Sequence, residues 1–266
     1  MKRIAIGLAY DGSAFDGWQS QPSGNTVQDH VEAALAAVAA EPVRVQAAGR
    51  TDAGVHASAQ VAHFDVEAER PESAWVRGAN AHLPEGIAVQ WAQEVDSEFN
   101  ARFSAVGRSY TYVLYNHAVR PALQAKQVGW FHLPLNVEAM QRAATLLLGE
   151  QDFSAFRSAE CQAKHPVRVM EEARIARHGS HVIFYFRANA FLHHMVRNIV
   201  GSLVYVGKGA HSPEWMGEVL ASRDRASAAP TFSPAGLYLS GVHYPDAWRL
   251  PAFAPMMPFD FLNPPL

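Results

Sequence analysis

One carboxylate in a stretch bounded by glycines is the first candidate for chemistry in this sequence. Residues 49–57 read GRTDAGVHA, so Arg50 and Asp52 are two positions apart between Gly49 and Gly54. Because glycine gives the backbone access to positive φ, we expect Asp52 on a sharp bend. A carboxylate there can act as a nucleophile, or it can be an ordinary turn residue that hydrogen-bonds its own backbone. This stretch alone leaves both interpretations open.

The basic residues are unevenly distributed along the chain. The formal net charge is −3, yet residues 99–137 and 173–213 contain no Asp or Glu, so the remainder is net acidic. Such a separation is typical of a protein with one face that meets a polyanion, and chance clustering is the alternative. The basic residues of the two segments are Arg102, Arg108, Arg120 and Lys126, and Arg174, Arg177, Arg187, Arg197 and Lys208.

The elements that must position Asp52 follow from hydrophobic periodicity in the first half, which predicts the order βαββαβ. Thr26 has the position of an N-cap, because apolar residues recur after it at helical spacing. In chain order we predict a strand at 4–10, a helix after Thr26, extended stretches at 43–48 and 59–66, a helix within 72–82 and a strand at 87–95.

The second half has a similar order of elements, with two helices before its last strand. Gly149 is the predicted stop of the first helix, and Ser212 and Pro213 are the predicted start of the last one. The predicted elements are a strand-pair region at 104–116, a helix at 136–148, strands at 167–177 and 181–188, helices at about 191–206 and from 212, and a strand at 237–244.

These patterns predict an α+β fold of two tandem ferredoxin-like βαββαβ units that form a continuous, mostly antiparallel sheet flanked by helices. We expect residues 1–98 to carry the Asp52 loop and residues 99–250 to complete the active-site cleft. Residues 251–266 contain five prolines, so we expect an extended tail on the surface.

Composition disfavours several classes of protein. Of 266 residues, 49% are hydrophobic and 18% charged, which predicts a folded chain. The sequence has no long apolar run and no signal-peptide pattern, so we expect a cytoplasmic protein without a membrane segment. The single cysteine, Cys161, excludes an internal disulfide and a cysteine-based zinc site. Without an HExxH motif, we expect no bound metal.

Blocks spread over most of the chain resemble the tRNA pseudouridine synthase A family and occur in the family's order. The linker at 157–168 does not align with this pattern, and the proline-rich tail lies outside it. The blocks are YDGSAFDGWQSQ at 10–21, TVQ at 26–28, GRTDAGVHASAQVAHF at 49–64, LPEGI at 83–87, ARFSAVGRSYTY at 101–112, DFSAF at 152–156, FLHHMVRNIVGSL at 191–203 and APTFSPAGLYL at 229–239.

The resemblance implies the pseudouridine synthase fold and an isomerase that acts on tRNA. Such an enzyme converts uridine to pseudouridine at positions 38, 39 and 40 of the anticodon stem-loop, with Asp52 as the essential carboxylate. The N1–C1′ bond breaks and the uracil rejoins through C5, so nothing external is consumed and no cofactor is implied. Attack of Asp52 on C1′, attack on C6 of the base and abstraction of a ribose proton all stay open. The resemblance also implies a homodimer.

Four other site residues are assigned by the resemblance. Arg197 matches the cation that pairs with the catalytic carboxylate, and Arg50 matches the residue that helps to extrude the target nucleotide. Tyr110 matches the tyrosine that stacks on the target base, and Leu237 would pack on the opposite face of that base. On residue type alone, Arg197 can extend to the surface, Arg50 can contact a phosphate, and Tyr110 and Leu237 can be core residues.

Two other functions compete with this interpretation. One is an RNA-binding module without catalysis, in which Asp52 is only a turn residue. The other is a nucleoside hydrolase or glycosidase, which needs a second catalytic carboxylate or a metal cluster to activate water. The sequence shows neither motif.

Overall fold

The structure is a computed structural model, and it describes residues 1–251, 257 and 259. The chain forms two compact units: Met1–Val106 with Tyr238–Pro258, and Gly107–Leu237 with Phe259–Leu266. The boundary predicted from sequence lies between residues 98 and 99, with the last strand in the second half. Apart from the three described positions, the proline-rich tail at 251–266 lies outside the described residues.

The first unit has the predicted βαββαβ order. Strand β1 lies between β4 and β3 and is antiparallel to both. The short β2 pairs with β3 at Ala47 and Ala62, and β10 lies parallel to the start of β3 at His56. The elements are β1 Lys2–Tyr10, α1 Val27–Ala39, β2 Gln46–Ala47, β3 His56–Val66, α2 Glu72–His82 and β4 Ile87–Val95, with β10 at Leu237–His243.

The two helices of this unit pack on each other. Thr26 caps α1 as predicted, because its Oγ1 accepts a hydrogen bond from the Asp29 amide at 3.2 Å. Val31 and Leu35 on α1 are fully buried. A Cβ on Gly78 of α2 would lie 2.8 Å from a methyl of Val38, so glycine allows the close approach of the helices.

A second apolar cluster in the first unit surrounds Phe99. Phe99 is fully buried together with Ala5 and Ala101. The rings of Tyr244 and Trp248 pack against it with centroids 5.3 and 5.2 Å away. The cluster therefore joins the segment after β4 to the segment after β10.

The second unit has its own mostly antiparallel strands in the order β5, β9, β8, β7. The short β6 lies parallel to β5. The elements are β5 Gly107–Asn116, β6 Gly129–Phe131, α3 Val137–Thr145, β7 Gly149–Asp152, β8 Val167–His178, β9 His181–Ala188, α4 Met195–Gly207 and α5 Trp215–Ser222. The predicted α+β class with mostly antiparallel strands is confirmed.

Several predicted element boundaries were wrong. The extended stretch at 43–48 pairs only at 46–47, and the region at 104–116 is a single strand that begins at Gly107. Strands β6 and β7 were not predicted, because each has too few residues for a periodic pattern to appear. Helix α3 ends at Thr145, before Gly149, which has a φ of +84° at the start of β7.

The starts of α4 and α5 were placed too early. Helix α4 begins at Met195, because His194 has a left-handed backbone with φ of 62° that interrupts the helix. Helix α5 begins at Trp215, after a turn in which the Trp215 amide donates to the Ser212 carbonyl at 3.2 Å. In the described part of the chain, no helix is long and apolar enough to span a bilayer.

Candidate active site

The loop that carries Asp52 is a tight turn, as predicted. The Val55 amide donates to the Asp52 carbonyl at 3.1 Å, and Gly54 has a φ of +77°. A positive φ at the third position of a four-residue turn favours glycine. Asp52 is half-buried and Arg50 is exposed, so both side chains reach the surface of the first unit.

The segment after β1, at residues 12–18, packs directly against this turn. The Trp18 amide donates to the Thr51 carbonyl at 3.0 Å. A Cβ on Gly12 would lie 1.9 Å from the Val55 carbonyl oxygen, and one on Gly17 would lie 2.7 Å from the Thr51 carbonyl oxygen. Only glycine allows the two backbones to approach so closely, which explains why the block at 10–21 contains two glycines.

Gly17→Ala is expected to destabilise the protein more than Gly24→Ala. Both glycines have positive φ, +87° and +67°, so each substitution carries a backbone cost of ~1–2 kcal/mol. Apart from Gly24 and its two chain neighbours, no described atom lies within 4 Å of a Cβ on Gly24. A Cβ on Gly17 instead collides with the Asp52 loop and adds ~1–3 kcal/mol of overpacking. Urea unfolding midpoints and turnover per folded molecule measure the difference. Equal midpoints with equal turnover would contradict the supporting role of Gly17.

Buried polar groups fix the start of the loop. Gln60 is fully buried, and its Nε2 donates to the Gly49 carbonyl at 2.7 Å. The Tyr10 hydroxyl is 2.8 Å from Thr51 Oγ1. Burial raises the pKa of Tyr10 to about 12 although Thr51 and Gln60 partly oppose the shift, so this hydroxyl stays protonated in the physiological range.

His56 fixes the end of the loop. It is 2% exposed, its Nδ1 accepts a hydrogen bond from the Gly12 amide at 3.1 Å, and the same nitrogen lies 3.2 Å from Asp11 Oδ1. Its ring stacks on Tyr238, with centroids 4.6 Å apart. Burial, and to a smaller extent Asp11, raises the pKa of Tyr238. The backbone that carries Asp52 is thus held at both ends.

In the second unit, Arg197 is half-buried on α4 and bound to the segment 229–232. Its Nε donates to the Phe232 carbonyl at 2.9 Å, and the Phe232 amide donates back to the Arg197 carbonyl at 3.2 Å. A Cβ on Gly201 would lie 2.3 Å from the Pro230 carbonyl oxygen, so the segment lies directly on the helix.

Neighbouring residues hold the same segment. Asn198 is fully buried, and its Oδ1 accepts from Thr231 Oγ1 at 2.7 Å and from Arg225 Nη2 at 3.1 Å. Ser202 Oγ accepts from the Ala229 amide at 3.2 Å. These contacts fix the orientation of the Arg197 side chain, since they immobilise its backbone partner.

Tyr110 lies on β5 and is 9% exposed. Its ring meets Phe191 edge to face at a centroid distance of 4.9 Å, and it pairs with Phe186 on β9. Leu237 is 5% exposed at the start of β10. Both side chains are therefore mostly buried in the second unit.

A chain of contacts connects these residues within the second unit. The Tyr112 hydroxyl, also on β5, donates to the Ser233 carbonyl at 2.8 Å, and the Tyr112 ring packs on Phe232 at 5.8 Å. Gly236, directly before Leu237, lies so close to β5 that a Cβ would be 2.3 Å from the Val113 carbonyl oxygen. The segment that binds Arg197 therefore also packs on the strand of Tyr110.

The sequence alone pointed to the candidate side chains. It did not point to the residues that fix the Asp52 loop and the Arg197 side chain. Gly12, Gly17, Gln60, His56 and Phe232 were not singled out. Their signal was present, because all five lie in the sequence blocks that carry the family resemblance.

Comparison with known proteins decides the family. The model of the tRNA pseudouridine synthase family matches residues 8–104 and 143–245. The chain belongs to the tRNA pseudouridine synthase family. The prediction of this class of isomerase is thereby confirmed.

Relatives of this tRNA pseudouridine synthase are similar over nearly their whole length. A protein of Aromatoleum aromaticum, named tRNA pseudouridine synthase A, is 59% identical over 97% of this chain and 99% of its own. One of Thiobacillus denitrificans with the same name is 57% identical over 97% of this chain and 100% of its own. The family match contains Arg50, Asp52, Arg197 and Leu237, whereas Tyr110 lies between its two matched ranges.

Proposed function

We propose that this tRNA pseudouridine synthase is a cytoplasmic enzyme that isomerises uridine at positions 38, 39 and 40 in the anticodon stem-loop of tRNAs, with Asp52 as its essential carboxylate. The proposal rests on one observation: the turn that contains Asp52 has a fixed backbone. The carboxylate is half-buried. The loop is held before Asp52 by buried Gln60, which donates to the Gly49 carbonyl, and after it by buried His56, whose ring accepts from the Gly12 amide. A reacting group needs this kind of fixed position.

The chemistry requires one ionised carboxylate and exclusion of water. When the N1–C1′ bond breaks, its electron pair leaves with the uracil and positive charge develops on the ribose, which a carboxylate can stabilise or trap covalently. The uracil then turns and forms the C5–C1′ bond. C5 loses its proton and N1 gains one, so substrate and product have the same composition. Attack on C6 and abstraction of a ribose proton require the same carboxylate.

The other candidate residues are assigned either to stabilising the ionised carboxylate or to binding the substrate. We assign Arg50, exposed beside Asp52, to extrusion of the target nucleotide, and Tyr110 and Leu237 to contacts with the uracil ring. Arg197 is assigned as the cation that maintains the ionised carboxylate. A double-mutant cycle with Asp52→Asn and Arg197→Gln tests this last assignment, because residues that act as a unit have strongly non-additive effects on turnover.

The position of modification is tested with tRNA transcripts that carry uridine at only one of positions 38, 39 and 40. Treatment with a carbodiimide that marks pseudouridine, followed by primer extension, is expected to show the stop that reports pseudouridine at that position, one nucleotide to its 3′ side, after incubation with the enzyme. A transcript with cytidine at all three positions is the control. Stops at other positions, or none at these three, would contradict the proposed site of action.

We also propose that the enzyme is a homodimer that binds tRNA largely through phosphate contacts. The family resemblance supports the dimer, and the acid-free basic segments at 99–137 and 173–213 support the phosphate contacts. Light scattering is expected to give twice the mass of the chain. The logarithm of affinity is expected to fall with the logarithm of salt concentration at a slope of roughly −0.7 to −0.9 per phosphate contact. A monomer, or binding that does not change with salt, would refute this proposal.

A further inference from the structure

The loop at 100–104 in the first unit presents an aromatic ring to solvent. Phe103 is 77% exposed, while Phe99 and Ala101 are fully buried. The loop therefore exposes two neighbouring side chains, Arg102 and Phe103, beside buried residues of the same loop. A phenylalanine exposed to this extent contributes nothing to the core, because its apolar surface stays in contact with water.

This exposure does not result from a loosely held loop. Asn100 Oδ1 accepts hydrogen bonds from the amides of both Arg102 and Phe103, at 3.0 and 3.1 Å. The Asn100 amide donates to Ser104 Oγ at 3.0 Å, and the Ser104 amide donates to the Asn100 carbonyl at 2.8 Å.

The loop is also bound to the rest of its unit. The Ala101 amide donates to His63 Nδ1 at 3.1 Å, and the Ala101 carbonyl accepts from the Tyr244 hydroxyl at 2.6 Å. Asn100 Nδ2 donates to Gln46 Oε1 at 3.3 Å, on the strand that leads into the Asp52 loop. The backbone beneath Phe103 is therefore fixed before any partner binds.

The chemistry around the ring favours a nucleic acid. The guanidinium carbon of Arg102 lies 5.4 Å from the centroid of the Phe103 ring, within the range of a cation–π contact. Both residues lie in the segment 99–137, which contains no Asp or Glu. An aromatic ring beside a cation is the combination that binds a base by stacking and its phosphate by charge.

We propose that Phe103 stacks on an unpaired base of the RNA substrate while Arg102 contacts the adjacent backbone. This proposal rests on the proposed function, because it takes tRNA as the substrate. Phe103 is assigned to RNA binding and not to the chemical step. A second copy of this chain is the competing occupant of the surface.

The first test measures the affinity of the full-length protein for an unmodified anticodon stem-loop RNA. Phe103→Ala is expected to weaken binding by about 5- to 150-fold, the equivalent of ~1–3 kcal/mol for one stacked base. Phe103→Trp is expected to retain affinity, because it keeps an aromatic face, whereas Phe103→Leu is expected to behave like alanine. The melting temperature should not change in Phe103→Ala, since the ring is exposed.

The second test separates stacking from charge. Arg102→Gln is expected to reduce the slope of log affinity against log salt by about one phosphate contact, whereas Phe103→Ala leaves this slope unchanged. A set of stem-loop RNAs, each with one abasic nucleotide, locates the stacked base. With the correct abasic RNA, Phe103→Ala causes no further loss of affinity.

Leu123→Ala is the matched control, because Leu123 is 100% exposed in the same acid-free segment but has no aromatic ring to stack on a base. It is expected to bind RNA like the parent. Unchanged affinity in Phe103→Ala would overturn the stacking proposal, as would a loss of affinity that accompanies conversion of a dimer to a monomer in sedimentation. If the parent and Leu123→Ala bind the RNA but form no pseudouridine, the proposed function fails while the stacking result still stands.

Discussion

Replacing Asp52 with asparagine is expected to abolish turnover while the affinity for tRNA stays within a few-fold of the parent. The amide keeps the size and shape of the side chain but removes the charge on which cleavage of the glycosidic bond depends. The protein should fold normally, because the substitution leaves in place the backbone hydrogen bonds of the turn and the bond from Gln60 to the Gly49 carbonyl. Single-turnover kinetics and tRNA binding on the same preparation separate the two effects.

Asp96→Asn provides the control for a changed carboxylate in the same unit. Asp96 is exposed, and its Oδ1 accepts a hydrogen bond from the Glu98 amide, which asparagine can preserve. This variant should match the parent in turnover. A rate in Asp52→Asn above roughly a hundredth of the parent, equivalent to less than ~2.7 kcal/mol of lost transition-state stabilisation, would contradict the essential role of Asp52.

Removing the hydroxyl of Tyr110 is expected to have the second largest effect. Tyr110→Phe keeps the ring and its edge-to-face contact with Phe191 at 4.9 Å, so the melting temperature should stay close to that of the parent. A loss of turnover with RNA binding intact would assign the hydroxyl a role in the reaction. Tyr185→Phe is the matched control, because it removes a hydroxyl from the neighbouring strand β9, where that group bonds Ser109 at 2.9 Å.

Tyr110→Ala tests whether the ring is only a core residue. Tyr110 is 9% exposed, so its removal should cost ~3–5 kcal/mol of stability by analogy with other buried aromatic residues. The melting temperature falls by ~2–4 °C per kcal/mol at this size. We expect turnover per folded molecule to fall as well, because the base loses its stacking partner. Normal turnover in folded Tyr110→Ala would remove this residue from the site.

The elements that were predicted well from sequence are those whose start is marked by residues close together in the chain. Thr26 and Asn136 precede helices whose apolar residues recur regularly, and each side chain caps its helix at 3.2 and 2.9 Å. The start of α4 was missed for the opposite reason. Phe191 and Leu192 continue the apolar pattern of the helix, while the left-handed backbone of His194 has no signature in hydrophobic periodicity.

The same distinction applies to the site. The turn at Asp52 was predictable because Gly54 supplies the positive φ that the turn requires. The bond from Arg197 to the Phe232 carbonyl joins residues 35 positions apart in the chain, and no local pattern specifies such a contact. Charge distribution identified the basic segment that contains Phe103, but it could not show that this ring is exposed on a fixed loop.

The most direct test of the account measures release of tritium from tRNA that carries [5-³H]uridine. Formation of the C5–C1′ bond displaces the hydrogen at C5, so an isomerase must release it, whereas an RNA-binding protein or a nucleoside hydrolase does not. We predict release equivalent to the uridines at positions 38, 39 and 40 with the parent protein and none with Asp52→Asn. No release with the parent, or equal release with Asp52→Asn, would contradict the account.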